Sequence, residues 1–319
     1  MHSGRRHPLG GSPPIHIVRV AACLLLSLAP CTANANSSYD SKAALTYSYL
    51  ASAAYCGPPR FTNAGLEAWQ CGPFCDALPG MENITTVGDG DNDAYAFLGK
   101  LDNRCVVAFR GTSSLGGWIT DLQSLTKDEL KGCSFEGTPC YVGSGFLSNY
   151  KALESELKAK LASSYCPGSR VTVVGHSLGA AVATLAMFDL QRSGFVIEPS
   201  YTFGGPRVGD VAFVQAFLRA FAKPVLFRVT HHRDPIVHMP TTLRFHHSPS
   251  EIYYPGYASQ GYSVCNGSGE DPACSGQFWD LPAMITNCLE DDFRHCDHMS
   301  YLFDERDIPM DSDPCTNRV

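Results

Sequence analysis

Apolar residues along this chain alternate between long periodic stretches and short unbroken runs. Residues 41–55 (SKAALTYSYLASAAY) are alanine-rich and predict a helix with Asp40 as its N-cap. Residues 94–99 and 104–109 flank Leu101, Asp102 and Asn103 and predict a hairpin. In KALESELKAKLASSY, Leu153, Leu157 and Leu161 recur every fourth residue, which predicts a helix with one apolar stripe and a solvated charged face. VVAF (106–109) and VTVV (171–174) are apolar or β-branched at consecutive positions, as strands covered on both faces must be. Residues 178–190 predict a helix apolar nearly all round; 211–221 predict another, followed by a strand over 225–230. Beyond 240 the chain is richer in Tyr, Pro, Gly and Cys and predicts loops. Alternating strands and helices with no dividing linker imply a single α/β domain, its mostly parallel central sheet flanked by helices.

The N-terminus changes this picture in one respect. Arg5, Arg6 and Arg19 precede an apolar core, Val20 to Ala29, and Ala33-Asn34-Ala35 offers a small-residue cleavage site. Residues 1–35 therefore predict a signal peptide, and residues 36–319 the exported domain. No later apolar run is long enough for a transmembrane helix. The formal net charge of −7 argues against nucleic acid as a partner. Of fourteen cysteines, Cys23 and Cys31 fall in the signal peptide, and the twelve left in an exported chain read as disulfides. Cys71–Cys75, Cys133–Cys140, Cys265–Cys274 and Cys288–Cys296 are candidates to staple loops, and Cys56–Cys315 to tie the termini; connectivity stays open. A zinc cluster of Cys288, His295, Cys296 and His298 is the rival reading, but no C-x₂-C pair matches finger spacing, so no metal is expected. Asn36, Asn83 and Asn266 each begin a glycosylation sequon.

The candidate chemistry lies at VTVVGHSLGAAVA, residues 171–183. A G-x-S-x-G carries mechanical meaning when a strand enters it and a helix leaves it, and both are predicted here. The sharp turn lifts the Ser177 hydroxyl clear of the sheet and needs small neighbours at Gly175 and Gly179. A serine becomes a useful nucleophile only when a histidine takes its proton and an acid orients that histidine. In this topology the acid follows the serine and the histidine follows the acid. Asp234, directly after the strand VLFRVT, is the preferred acid over Asp189 and Asp210. His295 and His298 lie late enough for the base; His298, before an aromatic run expected to begin a helix, is preferred. An oxyanion hole would take one amide from Leu178 and one from Thr112, in the loop after VVAF.

The segments FRGTSSLGGWITDL, VTVVGHSLGAAVA, YTFGGPRVGD, FRVTHHRDPIVHMP and CDHMSYLF, in this order from about residue 95 to 303, resemble the class 3 (fungal-type) secreted lipases of the α/β-hydrolase fold. The resemblance implies Ser177 as nucleophile, Asp234 as acid and His298 as base, with Thr112 and Leu178 forming the oxyanion hole. It favours His298 strongly over His295, because the family's histidine lies in a D-H-x-S-Y setting like Asp297 to Tyr301. It also implies a lid helix after the oxyanion loop. Here that is Leu115 to Gln123 (LGGWITDLQ), with Leu115, Trp118, Ile119 and Leu122 on one face and Gly116 and Gly117 weakening the helix. Two features depart from the pattern: Gly143 stands where many relatives carry a histidine, and the cysteine count is high for the family. The implied function is hydrolysis of acylglycerol esters at an oil–water interface by a secreted monomer without cofactor, metal or membrane anchor. A feruloyl-type or other soluble-ester esterase, or a phospholipase A1, is the rival within the fold. An inactive lipase-like binding protein is the rival outside it.

Overall fold

In the computed structural model the hairpin turns on Asp102 and Asn103, whose φ values of 50° and 61° are the left-handed pair that a tight two-residue turn requires. The structure describes residues 39–58, 61–88, 94–112, 114–163, 166, 170–290, 296–301 and 315. The expected signal peptide lies outside them, as does His295, and all the described residues belong to one compact unit, Ala35–Val319.

Helices run in chain order as α1 Ser41–Ala53, α2 Asn63–Glu67, α3 Pro73–Asp76, α4 Leu115–Gln123, α5 Ser144–Ala162, α6 Leu178–Arg192, α7 Val211–Ala220 and α8 Leu281–Glu290. Asp40 caps α1 by accepting from the amides of Lys42 and Ala43, and α1 gives way at Ala54 to a 3₁₀ turn ending at Cys56. The strands of the large sheet are β1 Met81–Val87, β2 Ala96–Leu101, β3 Arg104–Phe109, β6 Arg170–His176, β7 Val196–Ile197, β8 Ser200–Phe203, β10 Leu226–His231, β12 Glu251–Tyr254 and β13 Ser263–Val264. A smaller antiparallel sheet comprises β4 Lys127–Phe135, β5 Thr138–Gly143, β9 Gly209–Asp210 and β11 Phe245–His246.

The large sheet is ordered β1-β2-β3-β6-β8-β10-β12-β13. Its centre, from β3 to β12, is parallel, with antiparallel pairs at both edges. Successive residues of the central strands feed two separate cores. Val107, Phe109, Val171 and Val173 pack beneath α5, α6 and α7, whereas Val106, Ala108 and Val174 pack against α1. That division explains why these strands read as unbroken apolar runs. The Leu153, Leu157 and Leu161 stripe of α5 is buried, as its periodicity implied.

Beyond 240 the structure departs from the loop-heavy expectation. β12 extends the parallel sheet although its first residue is the buried Glu251, which accepts from Thr230 Oγ1 at 2.7 Å and lies 3.6 Å from the Arg228 guanidinium. A carboxylate at a core position hides a strand from any apolar pattern. The short β11 and the helix α8 were masked in the same way by Pro, Cys and charged neighbours.

Six disulfides are formed: the five candidates above, and Cys105–Cys166, which links β3 to the segment before β6. Cys288 and Cys296 thus bond each other rather than a metal. Cys56–Cys315 closes the longest loop, and such a link restricts the unfolded chain most. No helix among the described residues is long and apolar enough to cross a membrane.

Candidate active site

β6 ends at His176 and α6 begins at Leu178, leaving Ser177 alone on the turn at φ 58° and ψ −127°. A non-glycine residue there costs roughly 1–3 kcal/mol and persists only when its surroundings over-determine it. They do so here. The Ser177 amide donates to the Phe203 carbonyl of β8 at 3.0 Å. A Cβ on Gly175 would stand 2.2 Å from the Gly179 carbonyl oxygen, and one on Gly179 would stand 2.3 Å from that of Phe109. Both glycines are demanded by backbone crowding. Ser177 is fully buried, and its Oγ makes no hydrogen bond within the protein.

The loop after β10 carries Asp234, and the 3₁₀ turn Asp297–Met299 carries His298; the helix anticipated from the aromatic run after it falls outside the described residues. Both are fully buried. His298 Nδ1–H donates to Asp234 Oδ2 at 2.9 Å, the Ile236 amide donates to Oδ1 at 2.8 Å, and the Tyr301 hydroxyl donates to Oδ2. Burial pushes the Asp234 carboxyl up, but the His298 charge and these hydrogen bonds outweigh it and hold the group below the ordinary carboxylate value. With Nδ1 committed to the carboxylate, Nε2 is the free basic nitrogen of His298, buried and without a protein partner. A buried unpaired polar atom is rare enough to require an explanation, and this site holds two such atoms of complementary chemistry.

Sequence reasoning missed three supports. Gly204, at φ 57°, lies under the Asp234–His298 pair; a Cβ there would come within 2.8 Å of Asp234 Oδ2 and 2.9 Å of His298 Nδ1. The signal was present in the quoted YTFGGPRVGD, where the paired glycines had no stated purpose. Tyr301 was seen only as part of a motif. His176 was given no role of its own, yet its ring centroid lies 4.5 Å from that of His298.

The loop carrying Thr112 packs against the elbow. The Cβ built on Gly179 approaches the Arg110 carbonyl at 2.8 Å, and that on Gly111 approaches the His176 carbonyl oxygen at 2.9 Å. Thr112 is buried and its Oγ1 accepts from the Ser114 amide at 3.1 Å. Leu178, also buried, supplies the first amide of α6. The rejected candidates have other work. Asp189 accepts from Tyr150 at 2.6 Å and pairs with Lys158; Asp210 caps α7 through the Phe213 amide.

The architecture and the site match one known group of proteins. The family described as Lipase (class 3) matches residues 106–244, a span that holds β3, Thr112, the elbow and Asp234. Over that span the chain is similar to the class 3 lipases. Among its relatives is the lipase of Rhizomucor miehei, 29% identical over 265 residues that cover 80% of this chain and 67% of that protein. The secreted mono- and diacylglycerol lipase A of Penicillium camembertii is 34% identical over 156 residues, which cover 47% of each chain. A chloroplastic phospholipase A(1) of Arabidopsis thaliana is 34% identical over 167 residues, covering 47% of this chain and 36% of that one. Among solved structures, a triacylglycerol lipase whose catalytic centre is described as a serine protease triad superimposes with a TM-score of 0.67 and 25% identity. It covers 86% of this chain and 96% of its own.

In this chain the segment expected to form a lid is helical over Leu115–Gln123, the span anticipated. Trp118, Ile119 and Leu122 are buried in the core beneath it, while Gly116 and Gly117 face solvent; the Leu115 side chain is outside the described set. Gly143, the departure noted above, caps α5, and a side chain there would collide with Phe146 at 2.6 Å and Leu125 at 2.9 Å. A histidine there would require Phe146 and Leu125 to shift. The loop after Asp234 also borders a cavity of about 540 Å³, walled by Pro240, Phe245, Phe278, Trp279 and Leu281 with Arg207 and Glu270 at its polar side.

Proposed function

We propose that the protein is a secreted triacylglycerol lipase, cleaving carboxylic esters of acylglycerols through an acyl-enzyme on Ser177. One observation carries the reading: an imidazole held at Nδ1 by a buried carboxylate, with Nε2 free, in the same closed site as a serine on a strained elbow. Ser177 Oγ attacks the ester carbonyl carbon while its proton passes to His298 Nε2, and Asp234 stabilises the imidazolium formed. The oxyanion takes hydrogen bonds from the amides of Thr112 and Leu178. Collapse breaks the ester C–O bond, and the departing alkoxide takes the proton from Nε2. Water then repeats the sequence on the acyl-enzyme, giving the free acid and restoring the serine. This chemistry draws on no cofactor or metal.

Helix α4 acts as the lid. Moving it exposes Trp118, Ile119 and Leu122, each costing about 1.5–3 kcal/mol in water. An oil surface takes up those side chains and removes the cost, which couples opening to the interface. The apolar wall of the cavity beside the Asp234 loop, formed by Pro240, Phe245, Phe278, Trp279 and Leu281, suits the hydrocarbon part of a substrate. The exported state rests on residues 1–35 as signal peptide, on six disulfides suited to an oxidising compartment, and on sequon asparagines Asn83 and Asn266 that are exposed. Similarity to plant phospholipase A(1) over 167 residues supports a second reading, in which the ester cleaved belongs to a phospholipid.

A serine-directed phosphonate is expected to label the protein and to leave Ser177→Ala unlabelled; a wild-type protein that resists labelling sinks the enzyme reading. Rates on a long-chain triacylglycerol, a phosphatidylcholine and a short-chain soluble ester, each above and below its solubility limit, then decide the substrate class. A jump at the solubility limit with the triacylglycerol is the result expected.

A further inference from the structure

The second residue of the elbow, His176, does chemical work that the triad account leaves unassigned. It is fully buried, and both ring nitrogens are engaged. The Tyr55 hydroxyl lies 2.7 Å from Nδ1, and the His298 carbonyl oxygen lies 2.8 Å from Nε2. A carbonyl only accepts, so Nε2 carries the hydrogen and Nδ1 accepts from the Tyr55 hydroxyl. One imidazole thus receives a hydrogen bond from the segment after α1 and donates one to the backbone of the base.

Tyr55 reaches further. A Cβ on Gly111 would stand 1.9 Å from its hydroxyl and 2.9 Å from the His176 carbonyl oxygen, so the same hydroxyl abuts the loop that carries Thr112. Its neighbour Cys56 is disulfide-bonded to Cys315, which fixes this segment to the far end of the chain. Three parts of the site therefore meet at one histidine: the elbow, the oxyanion loop and the turn that carries His298. We propose that Tyr55 and His176 are positioning residues that set the His298 backbone against the elbow, so that Nε2 faces Ser177 while Asp234 holds Nδ1. The proposal rests on the triad reading above.

The choice of histidine follows from the geometry. The position needs an acceptor on one side and a donor on the other, about a ring's width apart, in a fully buried place. It must also stay uncharged, because a cation there would oppose protonation of His298. Burial foremost, then the His298 charge, lower the His176 value to about 3; the bond to the His298 backbone and the Asp234 charge work against this and lose. Tyr301, whose ring centroid is 5.7 Å away, has its own value pushed well up by burial and by Asp234, so it adds no charge. A value that low keeps His176 neutral near pH 7.

The test uses the full exported chain. Histidine ¹⁵N spectra of the wild type should show His176 as the neutral Nε2–H tautomer from about pH 5 to about pH 9. Titration inside that range, or the Nδ1–H tautomer, overturns the proposal. Tyr55→Phe deletes one hydroxyl and leaves the ring. It should lower kcat about five- to tenfold with KM unchanged, and shift or broaden the low-field proton of the His298–Asp234 hydrogen bond. Loss of kcat with that resonance unmoved would mean general loosening and overturns positioning, as does wild-type kcat. His176→Gln, which keeps a donor and an acceptor, should retain more activity than His176→Leu; equal loss in two folded variants counts against the proposal. Because phosphonate labelling and wild-type hydrolysis test the triad separately, failure of that reading is distinguishable from failure of this one.

Discussion

The elbow and α4, the proposed lid helix, are two short segments of similar composition, each rich in glycine and apolar residues, and they are held in opposite ways. From Gly175 to Gly179 every residue is buried, and an added methyl at either glycine meets main-chain atoms at 2.2–2.3 Å. Main chain cannot yield as a side-chain tip can, so the elbow has one arrangement. In α4 a Cβ on Gly117 would meet only the Ser114 hydroxyl, at an ordinary 3.4 Å. That helix is fastened through the side chains of Trp118, Ile119 and Leu122. Backbone crowding suits a group that must be aimed before the substrate arrives, and side-chain burial alone suits a cover that must leave. Glycine thus means rigidity in one segment and looseness in the other, and only its neighbours tell which.

Four changes would break or sharpen that contrast. The largest effect is expected from Gly179→Ala, which drives a methyl into the Phe109 carbonyl; the exported protein should fail to accumulate, as read by secreted yield and circular dichroism. Normal yield would mean the elbow can yield after all. Asp234→Asn should fold but lower kcat about 10³- to 10⁴-fold, because an amide in place of the acceptor no longer selects the His298 tautomer. Its melting temperature and kcat measured together separate aim from stability.

Acid should destabilise the elbow side of the molecule. The folded value of His176, about 3, lies below the ordinary value near 6.5, so the unfolded chain takes up the proton first. The stability from keeping His176 neutral is complete above pH 6.5 and drains as pH falls towards 3, at up to about 1.4 kcal/mol per pH unit. His247, held well below its usual value chiefly by burial, acts in the same direction. Glu270 adds its loss lower, between its ordinary value and about 2, where its Arg207 bonds outweigh the cost of burial. Urea midpoints at pH 7 and pH 5 check the upper window; equal midpoints would contradict it.

The smallest effect is expected in the lid. Gly117→Ala should raise the melting temperature slightly, by no more than about 1 kcal/mol of stability, since helix propensity improves and nothing clashes. It should slow hydrolysis of emulsified triacylglycerol while leaving a soluble short-chain ester unaffected, as paired initial rates would show.

Much of this was legible in the chain itself. Paired glycines around a serine, between an apolar strand and an apolar helix, announced the elbow, because only a crowded turn needs that spelling. The order of Asp234 after its strand and His298 near the end followed from topology, and short cysteine spacings pointed to four of the six disulfides. The α4 span came from the family resemblance, and the apolar residues at helical spacing within it agree with the helix that forms.

What the linear chain left undecided was mostly what joins residues far apart without a motif to mark them. Cys105 with Cys166, the strand begun by Glu251, Gly204 beneath the Asp234–His298 pair and the Tyr55–His176–His298 connection all depend on segments that meet only after folding. Local pattern records which backbone period a segment prefers and which face it buries. It carries no record of which partner a buried polar group finds, and that pairing is made by the tertiary packing, where an unpaired donor or acceptor costs too much to leave alone.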